Sequence, residues 1–313
     1  MWKHLLRRLL LIPPTVLCVV TIVFFLIHMG VGNPAQAILG TYASAESLEA
    51  FRAELGLDKP LIVQYGEYLS HLAHGDLGRS LITSHPVAEQ LRSALPYSLE
   101  LTIAGILLGL VLGIPLGILM SVRQNTWIDS VGRIMSLVGI SMPAFFLGVV
   151  LLIIFAVKLD WFPVGGVASS ESIVDRIHHL VLPAVTLGLV MTSYIARTTR
   201  SAVLNVLGED YLRTARAKGQ IERRVLLHHA LHNALIPVIT VTGMYATILL
   251  AVSPLVEIVF GRPGLGRLIL GSIKQSDYIV LQSVMLVYAA MVIVVNLLVD
   301  LSYSLIDPRI RFQ

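Results

Sequence analysis

Ser98-Leu-Glu-Leu-Thr-Ile-Ala-Gly-Ile-Leu-Leu-Gly-Leu-Val-Leu-Gly-Ile-Pro-Leu-Gly-Ile-Leu-Met-Ser-Val122 holds one ionisable side chain, Glu100, close to its start. A helix needs about 20 mostly apolar residues to cross the hydrocarbon core of a bilayer. This stretch is long enough. Gly109, Gly113 and Gly117 recur along it at four-residue spacing. On a helix they share one face, where a second helix can approach closely. Ordinary glycine use in membrane helices would give the same pattern.

Further runs of the same kind lie at about 9–29, 134–157, 180–196, 234–256 and 279–305, so six spans are expected. Pro13, Pro14, Pro115, Pro183 and Pro254 fall inside them and are expected to kink or start helices, since neighbouring groups can satisfy the freed carbonyls. The composition agrees. Of 313 residues, 56% are hydrophobic and 13% charged, against roughly 25% charged in soluble domains. Mean hydropathy is +0.80. Met1-Trp-Lys-His-Leu-Leu-Arg-Arg resembles the basic start of a signal peptide. The apolar run behind it reaches Met29, which is span length, so an uncleaved first transmembrane helix is expected.

The net charge of +4 does not point to nucleic acid, because no basic stripe alternates with aromatics. The basic residues instead set orientation. Of the 23 Lys and Arg, fourteen fall in one set of connections, and they are packed into shorter segments than the other nine. Cytoplasmic loops carry that excess, so both termini are expected inside the cytoplasmic membrane. Two hydrophilic stretches remain. Residues 30–97 lie outside on this reading, with a helical pattern at 46–55 (Leu48, Phe51, Leu55), a break at Asp58-Lys-Pro, and a second short helix at 61–71. Residues 197–233 lie inside and are basic and helical in pattern.

The chain has no G-x-x-x-x-G-K-[ST] loop, and no Gly-Lys pair at all, so it cannot cradle ATP phosphates by that device. It has no H-E-x-x-H and no G-x-S-x-G, so no hydrolase constellation. Catalytic, cofactor and metal sites are therefore expected to be absent. Cys18 stands alone and can form no internal disulfide. His228 and His232 could share a helix face, but read as solvated positions; His178 and His179, at the outer end of the fourth span, read as interface histidines. Ionisable groups are scarce in the spans, with His28, Glu100 and Asp300 toward their ends. Ion-coupled carriers keep such groups near the midplane, so a secondary transporter or channel is the weaker alternative.

The basic inner stretch carries the most information. It reads Glu209-Asp-Tyr-Leu-Arg-Thr-Ala-Arg-Ala-Lys-Gly219, then Glu222-Arg-Arg-Val-Leu-Leu-His-His-Ala-Leu-His-Asn-Ala-Leu-Ile-Pro237. A helix of about two turns can seat one face in a groove on another protein. Small residues such as Ala215 and Ala217 allow close approach, and Gly219 can adopt φ > 0 to end the helix. A second helix is expected to start near Gln220 and lead into the fifth span. A solvated basic loop is the plainer alternative.

This stretch resembles the cytoplasmic signature of ATP-binding-cassette importer permeases: a small-residue helix, a glycine, and an Ile-Pro some way on. Three other stretches narrow the resemblance. They are Leu55-Gly-Leu-Asp-Lys-Pro-Leu61 with Gln64-Tyr65 and His74-Gly-Asp-Leu-Gly-Arg-Ser80; Val256-Glu-Ile-Val-Phe260 with Arg262-Pro-Gly-Leu-Gly-Arg267; and Asn296-Leu-Leu-Val-Asp-Leu301 with Asp307-Pro-Arg-Ile-Arg311. Together they resemble the first permease subunit of the dipeptide, oligopeptide and nickel importer family, over essentially the whole chain. One departure is Leu249-Leu-Ala-Val-Ser-Pro254, where many relatives are Gly-rich; Pro254 is expected to alter the end of the fifth helix.

The resemblance implies an all-α polytopic membrane protein of the type-1 ABC importer permease fold, with six transmembrane helices and an external segment between the first two. It implies an N-terminal transmembrane helix (1–30), an external cap (31–93), a transmembrane core (94–305) with a coupling stretch (197–233), and a cytoplasmic tail (306–313). Tyr211, Leu212, Arg213, Thr214, Ala215, Arg216, Ala217, Lys218 and Gly219 are the expected ATPase-coupling residues. Pro263, Gly264 and Gly266, which read locally as a turn, are weaker candidates for an external gate. The implied partners are a second homologous permease, two ABC ATPases that bind ATP and Mg, an extracytoplasmic solute-binding protein, and membrane lipid. The implied activity is alternating-access import of peptides, a nickel or metal chelate, or a glutathione-like solute, with no chemistry in this chain.

Overall fold

The computed structural model describes residues 2–30, 43–54, 56–167, 172–221, 224–225 and 231–306. Among these the regular structure is helical, apart from one isolated antiparallel bridge, Arg79 to Pro86. In chain order the helices are α1 (Trp2–Gly30), α2 (Ala45–Glu54), α3 (Leu61–Ala73), α4 (Val87–Val122), α5 (Trp127–Ser141), α6 (Ala144–Leu151), α7 (Ile173–Leu207), α8 (Asp210–Ala217), α9 (Leu231–Val259), α10 (Leu265–Gln275) and α11 (Tyr278–Ile306). Five are long and apolar enough to cross a membrane, and α5 with α6 adds a sixth if the bent pair is one span. The chain forms two compact units, one of Leu99–Arg262 with Val294–Gln313, the other of Trp2–Ser98 with Pro263–Ile293.

In the first unit α7 is the central post. A Cβ placed on Gly105 would lie 2.8 Å from Leu187 Cβ, one on Gly113 2.8 Å from Ile195 Cβ, and one on Gly117 2.5 Å from Thr199 Cβ; one on Gly109 would collide with Met191. Both partners advance by four residues at each step, so α4 and α7 run parallel in tight contact. Gly188 completes the seam beneath Leu108. The close-approach reading of Gly109, Gly113 and Gly117 holds, and Gly105 extends it. On α4, Ile103, Leu107 and Val111 are instead 52%, 55% and 66% exposed. Small residues inside and large apolar residues outside suit a helix whose solvent is lipid.

The run expected as one span at 134–157 is bent at a break. Helices α5 and α6 meet at a 106° bend. Met142 is extended (φ −88°, ψ 125°), and Pro143 (φ −58°, ψ 133°) is the N-cap of the next helix, which begins at Ala144. The cause is local: a residue before proline is pushed out of the helical region, and proline has no N–H to continue the ladder. Residues Leu152–Lys158 continue α6 as a π-helix. The broken element still travels the length of α7 in the opposite sense. Asp129 meets Arg200, Gly139 packs on Ser193, Gly148 on Thr186, and the Trp161 carbonyl meets His178 Nε2 at 2.8 Å. Arg200 and His178 are about 33 Å apart at 1.5 Å per helical residue.

Helix α9 also runs antiparallel to α7. Ala234 packs with Ala202 and Val203, Val238 with Met191 and Ile195, and Val256 and Phe260 share a cluster with Leu182. Pro254 does not end it. The helix runs on to Val259, and Ser253 Oγ donates to the Leu250 carbonyl at 3.0 Å, the acceptor that Pro254 leaves without an N–H. Expected boundaries elsewhere were short. Helix α4 starts at Val87 rather than 98, because Val87, Leu91 and Ala94 form a buried stripe; α7 extends beyond 180–196 at both ends.

In the second unit α3 packs on α1. Thr21 Oγ1 and Tyr65 Oη lie 2.5 Å apart, and the Phe24 ring sits 5.2 Å from that of Tyr65 and 5.7 Å from that of Tyr68. Ile27 clusters with Tyr278 and Leu281, and His28 Nδ1 lies 3.4 Å from Gln282 Nε2. Helices α2 and α3 match the expected patterns at 46–55 and 61–71, with Leu55 outside the described residues. In the His74–Ser80 stretch the Gly78 N–H and then His71 hold the Asp76 carboxyl below the usual carboxylate range. Ser80 Oγ donates to Asp277 Oδ2 at 2.5 Å.

Candidate functional site

The expected coupling residues form one short helix, α8, at the end of α7. It spans Asp210–Ala217, one residue earlier than the expected Tyr211–Lys218, and Lys218 is its C-cap. Glu209 precedes it in extended backbone, and Asp210 lies in its first turn, where an acidic side chain suits the helix dipole. Gly219 has φ +75° and its N–H bonds the Arg216 carbonyl at 2.9 Å, so the predicted left-handed stop is present. Among the described residues, no atom beyond its chain neighbours lies within 4 Å of where a Gly219 Cβ would stand, so the constraint seen on that position is its backbone.

Leu212 and Tyr211 fasten α8 to the unit. Leu212 is fully buried with Val225, against Val206 and Leu207 of α7. Asn233 Nδ2 donates to Tyr211 Oη at 2.7 Å, tying α8 to the start of α9. Tyr211, Arg213, Thr214, Arg216, Ala217 and Lys218 are exposed. The helix thus presents a polar, basic face with small residues and holds on by its opposite side.

Of the second helix expected near Gln220, Gln220 and Ile221 are non-helical while Arg224 and Val225 are helical. Residues 222–223 and 226–230, with Arg223, His228 and His229, lie outside the described residues, as does the Asp307–Arg311 motif. The three weaker gate positions divide. The turn is made at Phe260–Gly264, with Gly261 at φ +60°; Pro263 and Gly264 line a cavity of about 340 Å³ with Ser80, Arg267 and Asp277. Gly266 is not in that turn. It is buried in the first turn of α10, because the Leu265 N–H is held by Ser98 Oγ at 2.9 Å and helix begins there.

Two ion-pair groups hold the ends of α7. Near its start, Glu100 takes Arg176 Nε and Arg262 Nη2, each at 3.1 Å, with Arg262 only 2% exposed. Near its end, the fully buried Asp129 receives Arg200 Nε at 2.6 Å and Nη2 at 2.8 Å. Sequence reasoning counted Arg200 only as an orientation charge, quoted Arg262 within a family stretch without a partner, and did not single out Asp129. The signal available was an acid four residues before Arg133, in a connection otherwise basic. Its main partner lies 71 residues on. Among the described residues no three His, Cys, Asp or Glu converge as a metal site. His178 and His179 face the Trp161 and Asp175 carbonyls instead.

Comparison with known proteins fits this architecture. Residues 113–312 match the family model described as the inner membrane component of binding-protein-dependent transport systems, and residues 1–102 match the N-terminal model of such membrane components. The glutathione transport system permease protein GsiC of Salmonella typhi is 42% identical over all 313 residues, covering both chains completely; that of Escherichia coli strain K12 is 41% identical over the same span. Among solved structures, the MetNI methionine ABC transporter in an inward-facing form aligns at TM-score 0.56 and 20% identity, over 72% of this chain and 100% of that one. An amino acid ABC transporter aligns at TM-score 0.53 and 17% identity, over 69% and 94%. The structural likenesses give the fold: an all-α, multi-pass permease of the type-1 ABC importer kind. With both family models and full-length relatives in agreement, the chain belongs to the inner-membrane permease components of binding-protein-dependent transport systems, a family of transport proteins and not of enzymes.

Proposed function

We propose that this chain is one of two homologous permease subunits of an importer for peptides and peptide-like solutes of glutathione's kind. Two ATPases supply the drive, and an external binding protein delivers the solute. The observation that carries the reading is α8: a basic, exposed helix, buried at Leu212 and stopped by Gly219 at φ +75°. Such a helix fits a groove on an ATPase. The relatives' activity, glutathione transport, supports the solute class.

The reading has six crossings. Helix directions favour them: α4 and α7 run parallel, so the broken α5–α6 element between them returns across the same thickness. Helix α1 runs antiparallel to the start of α11, because Ile27 and His28 meet Tyr278 to Gln282. Both termini then share a side, and the charge bias makes it the cytoplasm. Residues 1–30 form the first crossing, 31–93 the external cap, 94–305 the core with 197–233 as coupling stretch, and 306–313 the inner tail. Pro263 and Gly264 sit on the external side on this reading.

The test is co-purification and uptake. Gly219→Val forces a β-branched residue into left-handed backbone, which costs on the order of 1 kcal/mol or more. With Ala215→Arg, it is expected to leave membrane insertion intact while the ATPases detach or idle and uptake falls. Normal co-purification and uptake in both variants would leave α8 a solvated basic helix. For topology, cysteines at the exposed Ser47 and Ser201, with Cys18 removed, separate the two sides: an impermeant thiol reagent is expected to label only Ser47 in sealed cells.

A further inference from the structure

We infer that the Asp129–Arg200 ion pair is the positioning link through which movement of α8 reaches the break between α5 and α6. The inference rests on the coupling reading of α8 and adds the residues that transmit it.

The contacts form a continuous chain. Leu212 of α8 is buried against Val206 and Leu207, the last turn of α7. Only Gly208 and Glu209 separate the two helices. The end of α7 therefore cannot stay still if α8 moves. Two turns back, Arg200 grips Asp129 through Nε and Nη2, one edge of its guanidinium, at 2.6 and 2.8 Å. Asp129 is in the first turn of α5, and its carboxylate does more than pair. Asn125 N–H donates to Oδ2 at 3.0 Å, and Arg133 Nε lies 3.7 Å from Oδ1. One carboxylate thus fixes the α4–α5 turn, the start of α5 and the end of α7.

Helix α5 is then a lever. Its first turn is clamped, and its last residue, Ser141, adjoins the 106° bend. Beside that bend is a cavity of about 150 Å³, lined by Met142, Ala144, Tyr194 and Tyr245 among others, with the two tyrosine rings stacked 3.6 Å apart. A rotation entering at α8 leaves at this cavity.

Stability alone does not explain the pair. Taking two charges out of water costs several kcal/mol per ion, and apolar replacements often do as well. Breaking one partner is the expensive event, because it strands the other. Groups so joined move together, which is what a link requires.

The experiment uses the assembled transporter reconstituted with its binding protein. Asp129→Asn keeps size and a hydrogen-bond acceptor; Arg200→Lys keeps charge and loses the two-pronged grip. For each, and for the pair combined, three quantities are read: ATPase subunits retained, ATP hydrolysis stimulated by loaded binding protein, and solute moved per ATP. The expected result is retained ATPases, hydrolysis continuing, and solute per ATP lowered at least about fivefold, the lower end of ordinary coupling energies. The double variant is expected to be no worse than the worse single one, since both remove one link. Solute per ATP unchanged in both single variants overturns the inference. So does uptake that falls only in proportion to assembled complex, the signature of a static role. If Asp129→Asn fails to accumulate, Arg200→Lys decides alone. Failure of the coupling reading looks different: Gly219→Val would then leave ATPases attached and transport normal.

Discussion

The seam between α4 and α7 and the broken α5–α6 element are built from similarly apolar sequence, yet they solve opposite problems. Along the seam, Gly105, Gly109, Gly113 and Gly117 bring two long helices together with no room for a single Cβ. Nothing there can slide without a clash. At α5–α6, Pro143 interrupts the ladder and the axis turns by 106°. Irregular backbone at membrane depth is tolerated where it is packed in protein or lines a cavity, and a cavity adjoins this break. A frame that cannot deform therefore lies beside an element that can. A machine that alternates its access needs both.

The largest expected effect comes from breaking the frame. Gly109→Leu places a side chain where Met191 already stands. Overpacking of a tight contact typically costs about 1–3 kcal/mol, occasionally more. The variant is expected to accumulate poorly and to melt well below the unaltered protein in detergent. Unchanged melting would mean that α4 and α7 are not in contact.

A smaller effect on stability, but a clear one on transport, is expected from Pro143→Ala. With alanine, Met142 can become helical and the bend can relax. Abundance is expected to hold while uptake drops several-fold. Spin labels at the exposed Ile134 and Val157 are expected to move apart as the element straightens. An unaltered label distance would show that tertiary packing, not Pro143, sets the bend.

Two substitutions in the second unit act as controls. Gly66 is also a helical glycine, on α3, but among the described residues nothing beyond its own helix lies within 4 Å of its Cβ position. Gly66→Ala is expected to stabilise by up to about 1 kcal/mol, as alanine does for an unencumbered helix glycine. Loss of stability there would mean that the seam glycines are not special. The smallest effect is expected from Lys59→Ala. Its pair with Glu67, at 2.5 Å, is nearly half exposed on both sides, and exposed pairs contribute about 0–1 kcal/mol. A shift in melting comparable to that of Gly109→Leu would mean that this exposed pair holds the fold as firmly as the seam does.

The glycine face of the seam was legible because four-residue spacing is a local property of a helix. Its partner was not, since nothing in Leu187, Met191 or Ile195 marks them as the other half. The stop at Gly219 was legible for the same reason as the face: residue type and position decide it. Leu212 and Tyr211 as the points of attachment were not, because burial depends on what the chain brings against them. Asp129 was hidden twice over. It fell outside the hydropathy window, and its partner is 71 residues away. Pro254 was expected to alter the end of the fifth helix; the Ser253 hydroxyl beside it satisfies the freed carbonyl, and the helix runs on to Val259.

Sequence alone determined what short-range physics controls: how many apolar runs are long enough to cross, which connections are basic, where a glycine must bend the backbone, and which nucleotide and hydrolase motifs are missing. It also carried enough local signature to place the family. Tertiary structure alone decided that α4 and α7 lie parallel at glycine distance, and that a buried carboxylate joins α5 to the end of α7, at the root of α8. The division has a physical reason. Hydropathy, charge bias and backbone preference are sums over neighbours in the chain, whereas a helix seam or a buried ion pair exists only when segments tens of residues apart meet and exclude everything else from the space between them.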